Sequence, residues 1–228
     1  MSDQGKRLFV GIRVSVQTAN ALAQCAEQLA RRARDAGIDV RWVAPTNYHL
    51  TLKFLGWVQP DLVPALVDRV TAALVGLRPF KFRTTRLGGF PSLEQADVVW
   101  AGVEDRGETA ELAARIEAQT ATLGFAAAPH GFAAHVTLGR ARETRPLGDV
   151  VLPMKEQMFS DTRVDGVILF ESEAKSGISE YKEIAKIAFK TADPAPPQPE
   201  KRQTEALDMA DETDDGWPRE RANKGAIG

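Results

Sequence analysis

The sequence contains the same four-residue pattern twice, and this repeat constrains the fold more than any other feature of the chain. Residues 49–52 read His-Leu-Thr-Leu, and residues 135–138 read His-Val-Thr-Leu. Successive side chains of a β-strand point to opposite faces. Each copy therefore predicts a strand whose histidine and threonine share a polar face and whose apolar residues share a core face. Two unrelated strands, each with a half-buried and hydrogen-bonded histidine, are the alternative interpretation.

Strands and helices alternate around the two motifs, and several neighbouring strands have no helix between them. This order predicts an α+β protein with antiparallel or mixed sheets. A helix followed by a motif strand occurs twice, which favours a bilobal fold: two sheets with approximate twofold symmetry around a central cleft, and the helices outside. The predicted strands are 6–14, 40–43, 48–55, 80–87, 98–103, 134–140, 158–162, 165–171 and 181–189, the predicted helices are 16–36, 60–77 and 108–123, and a turn is predicted at 88–91.

The composition changes after residue 190. Residues 191–228 hold five of the 13 prolines, nine acidic and five basic side chains, and few large apolar residues. This composition is typical of a disordered tail, so residues 1–190 are predicted to form a single domain. The net charge of the whole chain is −2, and that of residues 1–190 is +2. So weak a positive charge permits a polyanionic substrate without indicating one.

The cysteine content and the hydropathy indicate a cellular location. Cys25 is the one cysteine, the N-terminus has no apolar run of signal-peptide length, and no stretch of 18 apolar residues occurs. A lone cysteine excludes an intramolecular disulfide, and its place among alanines and leucines predicts a small core residue on a helix. We therefore expect a soluble, cytoplasmic, monomeric protein that does not bind membranes.

The polar faces of the two motifs suit acid–base chemistry if they meet across the cleft. Imidazole has an ordinary pKa of about 6.5, so one ring can accept a proton while its partner donates one. In an in-line displacement at phosphorus, one imidazole would take a proton from water and the other would protonate the departing oxygen. The two threonine hydroxyls would donate hydrogen bonds to the non-bridging oxygens, where charge accumulates.

Other chemistries fit the sequence less well. A zinc site would need three or four ligands at recognised spacing, and neither motif has a carboxylate or thiolate beside its histidine. The sequence has no G-x-S-x-G nucleophile motif and no G-x-x-x-x-G-K-[ST] phosphate loop. We therefore expect neither a metal nor a cofactor.

Three segments resemble a known family: RLFVGIRV at 7–14, WVAPTNYHLTLKFLG at 42–56 and HVTLGR at 135–140. They resemble the 2H phosphoesterase superfamily, specifically the bacterial RNA 2′,3′-cyclic phosphodiesterases, also called the 2′-5′ RNA ligase family. The resemblance covers residues 6–189. It implies a metal-independent hydrolysis of RNA 2′,3′-cyclic phosphate ends to 2′-phosphomonoesters. The implied substrates are RNA ends, tRNA fragments among them, or cyclic nucleotides.

The resemblance also implies roles for individual residues. His49 matches the proton donor to the leaving 3′ oxygen, and His135 matches the proton acceptor that activates water. Thr51 and Thr137 match hydroxyls that hold the phosphate, and Arg140 matches a position that often carries a phosphate-neutralising arginine.

The second motif departs from the family pattern at two positions. Ala134 stands where members commonly have proline, and Gly139 stands where they often have alanine. Neither change removes a functional group, so the implied chemistry is unaffected.

Four further residues are weaker candidates for substrate contact. Tyr48 and Phe54 could stack on a nucleobase, although aromatic residues in a strand more often belong to the core. Lys53 shares the strand parity of His49, so it could reach phosphate or be a solvated surface lysine. His130, in the loop before the second motif, could contact phosphate or base.

Two other functions stay open on the sequence alone. The same site could act on 2′-5′-linked oligonucleotides or join tRNA halves through a 2′-5′ bond, and a non-catalytic module could hold cyclic phosphate ends. The non-catalytic function is disfavoured, because binding requires hydrogen-bond donors but not two groups that titrate near neutral pH.

Overall fold

A computed structural model of the chain describes residues 5–175 and 178–190. The elements in chain order are β1 (Lys6–Arg13), α1 (Val16–Asp35), β2 (Val40–Trp42), β3 (His49–Val58), α2 (Val63–Ala73), β4 (Phe80–Ser92), β5 (Gln95–Glu104), α3 (Glu108–Ala121), β6 (His135–Arg145), α4 (Gly148–Val151), β7 (Met158–Val164), β8 (Gly166–Lys175) and β9 (Ile178–Ala188). Short 3-10 turns precede β3 and α2 and follow α4. The tail predicted to be disordered, residues 191–228, lies outside the described residues.

The strands of this part of the chain form one nine-stranded sheet in the order β7-β4-β5-β6-β3-β1-β8-β9, with β2 paired to β6. Every strand pairing in it is antiparallel. Apart from β2, the sheet consists of two four-stranded halves, and each half has a motif strand at its inner edge. The halves meet where Leu50 of β3 pairs with Val136 of β6. The predicted α+β fold is confirmed, and the two predicted sheets are joined into one at this pair.

The helices cover one face of the sheet. α1 packs on β7, whereas α2 and α3 pack on each other and on β9 and β3. Their apolar side chains and the apolar strand residues form one core, which includes Cys25 as predicted. None of the helices in the described ranges is long and apolar enough to cross a bilayer. We call the opposite face of the sheet the open face.

The boundaries of α1 follow from local sequence signals. Ser15 caps the first turn, because its hydroxyl accepts a hydrogen bond from the backbone N–H of Thr18 at 3.1 Å. Arg32 and Arg34 lie in the last turn, where the helix dipole favours cations. The chain then leaves the helix through Gly37, whose φ of +67° disfavours any residue with a side chain.

The turn predicted at residues 88–91 is wrong, because β4 continues through it. Gly88 pairs with Trp100, and a Cβ at Gly88 would overlap the Trp100 indole. The glycines therefore mark close packing of a side chain on the strand and not a change of direction. The hairpin between β4 and β5 instead turns at residues 93–94.

The helix predicted over residues 60–77 is shorter than expected. Residues 60–62 form a 3-10 turn, and α2 ends at Ala73. Pro64 lies in the first turn of α2. Backbone N–H groups in a first turn have no acceptor within the helix, so proline loses no hydrogen bond there. The four-residue helix α4 was absent from the sequence prediction, because so short an apolar run has no measurable helical period.

Candidate active site

The pairing of β3 with β6 brings the two motifs side by side. Leu50 pairs with Val136 in antiparallel register, and both side chains are buried in the core. In this register His49 lies opposite Thr137, and Thr51 lies opposite His135. All four side chains are half-buried and point away from the core. The structure thus brings together on the open face the four motif residues that the sequence singled out.

A β-bulge at Leu138 decides where Arg140 points. Thr137 pairs with Trp100 of β5 and Gly139 pairs with the next residue, Val99, so Leu138 has no partner. The extra residue reverses the alternation of the strand. Strict alternation would turn Arg140 toward the core, whereas the bulge places it on the open face with Thr137.

An equivalent bulge at Leu52 corrects the prediction for Lys53. Thr51 pairs with Gly11 and Lys53 pairs with Val10, so Leu52 is the extra residue. Lys53 consequently points to the core side, where it is 3% exposed and its Nζ lies 2.7 Å from Glu117 Oε1 of α3. The lysine is therefore neither a phosphate ligand nor a solvated surface residue, and both predicted placements are wrong.

Each motif histidine is held by the backbone two residues before it. His49 Nδ1 lies 2.6 Å from the Asn47 carbonyl oxygen, and His135 Nδ1 lies 2.7 Å from the Ala133 carbonyl oxygen. A carbonyl can only accept, so Nδ1 carries the proton in both rings. Nε2 is therefore the nitrogen that can gain or lose a proton. In the free protein, His49 Nε2 accepts a hydrogen bond from the Thr51 hydroxyl at 3.1 Å.

Aromatic side chains surround His49 and keep water from its ring. The ring centroid of Phe9 lies 4.8 Å from that of His49, and the Tyr181 ring packs edge-on at 4.9 Å. Gly11 lets β1 approach β3 closely beside the imidazole, because a Cβ there would lie 2.8 Å from the Leu50 carbonyl oxygen. Burial lowers the pKa of His49 to about 4, although the hydrogen bond to Asn47 opposes the shift.

His135 has a similar but less enclosed setting. The Phe90 ring packs edge-on against it at 4.9 Å and in turn lies 5.2 Å from the Trp100 indole. Burial is the main cause of a lowered pKa at His135, and the positive charge of Arg140 contributes in the same direction. The charges of Arg13, His135 and Arg140, in decreasing order of effect, also lower the pKa of His49.

The two arginines near the histidines differ in their partners. Arg13 donates from Nε and Nη2 to Glu183 Oε1 at 3.1 and 3.0 Å and from Nη1 to the Thr46 carbonyl oxygen. Among the ion pairs of residues 5–175 and 178–190, none involves Arg140. Its charge is therefore available to an anionic ligand, whereas Arg13 is already paired with Glu183, although its charge still lowers the pKa of His49.

The weaker candidates from the sequence lie in different places. Tyr48 is 1% exposed in the core, and burial raises the pKa of its hydroxyl to about 12. The prediction that Tyr48 stacks on a base is therefore wrong, because its side chain alternates with that of His49 and points to the helices. Phe54 is 66% exposed. His130 is exposed in the turn before β6, and its role stays a prediction.

Sequence reasoning missed the aromatic residues around the imidazoles. Phe9 carried a weak signal, since it alternates with Gly11 and Arg13 along β1. Phe90 was hidden by the wrongly predicted turn. Tyr181 had no local signal, because its place beside His49 depends on the pairing of β9 with β8 and of β8 with β1.

The motif residues lie on the open face of the sheet. Two surface hollows of about 610 and 550 Å³ lie elsewhere, one between the end of α1 and β2 and the other beside the start of β4 and the loop before α3. Neither is lined by a motif residue. The described residues also contain no cluster of three or more His, Cys, Asp or Glu side chains that could hold a metal ion.

Comparison with known proteins identifies the family. A model of the LigT-like phosphoesterase family matches residues 12–100. The RNA 2′,3′-cyclic phosphodiesterase of Archaeoglobus fulgidus is 31% identical over 160 residues, which are 69% of this chain and 86% of the relative. This level of identity over most of the relative confirms the resemblance that the sequence motifs indicated.

Solved structures confirm the fold. TT0787 of Thermus thermophilus has a TM-score of 0.67 at 23% identity, over 80% of this chain and 97% of that protein. Escherichia coli LigT complexed with 3′-AMP has a TM-score of 0.58 at 23% identity, over 82% of this chain and 99% of that protein. Sequence and fold agree, and the chain belongs to the LigT-like phosphoesterase family of the 2H phosphoesterase superfamily.

Proposed function

We propose that this protein hydrolyses RNA 2′,3′-cyclic phosphate ends to 2′-phosphomonoesters, without a metal, by means of two histidines. The observation that carries the proposal is the matched pair of imidazoles on neighbouring strands. Both rings donate Nδ1–H to a carbonyl two residues back, and both present Nε2 as the titrating nitrogen. The activity of the Archaeoglobus fulgidus relative supports the choice of substrate.

The reaction assigns a different task to each imidazole. Nε2 of His135 accepts a proton from water as the water oxygen attacks phosphorus. The bond from phosphorus to the 3′ oxygen breaks, and Nε2 of His49 gives its proton to that oxygen. The products are a free 3′ hydroxyl and a 2′-phosphomonoester, and the two rings have exchanged protonation states.

The neighbouring polar groups stabilise the charge on the phosphate. The Thr51 hydroxyl, which donates to His49 Nε2 in the free protein, turns to a non-bridging oxygen once that nitrogen is protonated. Thr137 occupies the equivalent position on β6, and the guanidinium of Arg140 supplies the positive charge. Donors and cations placed before reaction lower the barrier, because they need no reorganisation as charge develops.

The proton donor must acquire its proton when substrate binds. The low pKa of His49, about 4, leaves it neutral at pH 7 in the free protein. An anionic phosphodiester between the rings favours the charged form of each imidazole and so raises both pKa values. We therefore expect His49 to take up a proton together with the substrate.

This proton uptake predicts the pH dependence of kcat/KM. The pKa values of both His49 and His135 lie below the ordinary imidazole value of about 6.5. Above that pH both rings of the free protein are therefore neutral. Because kcat/KM reports the free enzyme, we expect it to fall about tenfold per pH unit from roughly pH 7 to pH 9. A kcat/KM that rises over that range would contradict the assignment of an imidazole as the donor.

One assay tests the function itself. Purified protein is incubated with a nucleoside 2′,3′-cyclic phosphate in the presence of EDTA, and the product is identified by chromatography against 2′- and 3′-monophosphate standards. We expect full activity and the 2′-monophosphate alone. Formation of the 3′-monophosphate, loss of activity with EDTA, or binding without turnover would each contradict the proposal.

A further inference from the structure

Two exposed aromatic side chains, Phe54 and Trp57, follow His49 along β3, and we call them the aromatic strip. Phe54 is 66% exposed and Trp57 is 74% exposed. Within the described ranges, the other large hydrophobic side chains of comparable exposure are aliphatic: Val16, Val75, Leu152 and Met158. Among the residues that the structure describes, the two most exposed aromatic side chains therefore lie three positions apart on a motif strand.

The pairing of β3 with β1 shows that the strip faces the same way as the motif histidine. His49 pairs with Arg13, Phe54 with Phe9 and Trp57 with Arg7. Side chains of paired residues share a face, and the Phe9 ring contacts both His49 and Phe54 at 4.8 and 6.1 Å. Phe54 and Trp57 are thus on the open face.

Two irregularities place these side chains in solvent. β3 has a second extra residue, Leu55, between the pairs Phe9–Phe54 and Leu8–Gly56. Without the bulge at Leu52, alternation from His49 would point Phe54 toward the core, and with that bulge alone it would point Trp57 there. The core is also complete without the strip, because Leu55 and Val58 fill the positions beside it.

The strip carries a positive charge as well as two rings. Arg7, paired with Trp57, is exposed, and the ion pairs of the described residues do not include it. Exposed aromatic rings combined with an arginine on a sheet face are the elements with which proteins bind single-stranded nucleic acid: bases stack on the rings and the cation contacts the backbone.

We propose that Phe54, Trp57 and Arg7 bind the nucleotides upstream of the cyclic phosphate, so that an RNA oligonucleotide is a better substrate than a mononucleotide. This inference rests on the proposed function. The Phe9 ring bridges His49 and Phe54, so the Phe54 ring lies within about 11 Å of the His49 ring. A strand rises about 3.3 Å per residue, which puts Trp57 more than about 20 Å from His49. A mononucleotide held at the histidines cannot reach Trp57, whereas a chain of several nucleotides can.

The test compares two substrates in the full-length protein. One is adenosine 2′,3′-cyclic phosphate, and the other is a six-nucleotide RNA that ends in a 2′,3′-cyclic phosphate. We expect the unmodified protein to have the larger kcat/KM on the hexanucleotide. Trp57→Ala should lower kcat/KM on the hexanucleotide by about tenfold or more, the usual effect of removing a stacked aromatic residue, and should change the rate on the mononucleotide less than about twofold.

Two variants control the interpretation. Trp57→Phe keeps a stacking surface and should retain most of the preference for the hexanucleotide. Leu152→Ala removes an apolar side chain that is also exposed, at 53%, in the 3-10 turn after α4, and should affect neither substrate.

The outcomes separate this inference from the proposed function. If neither substrate is hydrolysed, the proposed function fails. If the mononucleotide is hydrolysed but Trp57→Ala leaves the hexanucleotide rate unchanged, the inference alone is overturned, and the strip is then available to a protein partner. An equal loss on both substrates would also overturn it, because the effect would be on the histidines.

Discussion

Replacing either motif histidine by alanine is expected to lower kcat by roughly 10²- to 10⁴-fold, the usual contribution of a general acid or base. His49→Gln and His135→Gln keep a polar side chain without an imidazole and should be impaired to the same degree. Steady-state kinetics on a nucleoside 2′,3′-cyclic phosphate at pH 7 measure the loss. The double variant should be little worse than either single one, since groups that act as a unit do not contribute additively.

A third histidine supplies the matched control. His130 is exposed in the turn before β6, so His130→Ala changes the histidine content without touching the paired strands. Its kcat should stay within about twofold of the unmodified protein, because no proton transfer is assigned to this ring. A contact of His130 with substrate would appear in KM instead. A loss below about tenfold for His49→Ala or His135→Ala would contradict the role of that residue.

Arg140→Ala is expected to lower kcat by about 10²-fold, the usual cost of removing one preorganised group that stabilises transition-state charge. Arg140→Lys should recover only part of the loss, because an ammonium group does not reproduce the two-pronged contact of a guanidinium with phosphate. The pH profile gives a second readout. The charge of Arg140 lowers the pKa of both histidines, so its removal should move the decline of kcat/KM to higher pH.

The matched control for this variant lies two residues further along β6. Arg142 is exposed and its Nε lies 2.7 Å from Asp39 Oδ2, away from both histidines. Arg142→Ala should leave kcat and the pH profile unchanged. Equal effects of the two substitutions would show that Arg140 acts through the overall charge of the protein and not at the phosphate.

The motif strands and the fold class could be predicted because their signals are local. Alternation with a period of two identified β3 and β6 and separated their histidines and threonines from the apolar residues that form the core. The repetition of the motif then indicated that the two strands lie together. Their actual contact, the single pair of Leu50 with Val136, confirms this arrangement.

The bulges at Leu52 and Leu138 mark where local reasoning fails. A bulge depends on how a strand pairs with its neighbours, and the leucine that occupies it resembles any core leucine in the sequence. Extending the alternation through Leu52 therefore placed Lys53 on the wrong face. The orientation of Arg140 was expected from the family resemblance alone, since alternation would have placed it toward the core.

The side chains that surround the imidazoles could also not be predicted from the sequence. Phe9, Phe90 and Tyr181 come from three different strands, and their contacts with His49 and His135 exist only after the sheet has formed. Burial by these rings lowers both pKa values. From the sequence, both imidazoles were expected to have a pKa near neutral pH. In the structure both pKa values are lower, so the bound anionic substrate has to raise them again.

The most direct test of the acid–base pair changes the leaving group. In a cyclic substrate whose bridging 3′ oxygen is replaced by sulfur, the group departs as a thiolate and needs no proton, because an ordinary thiol has a pKa of only about 8.5. We expect His49→Ala to hydrolyse this substrate within about tenfold of the unmodified protein, while His135→Ala stays impaired by roughly 10²- to 10⁴-fold. An equal loss on the oxygen and sulfur substrates in both variants would contradict proton donation by either imidazole.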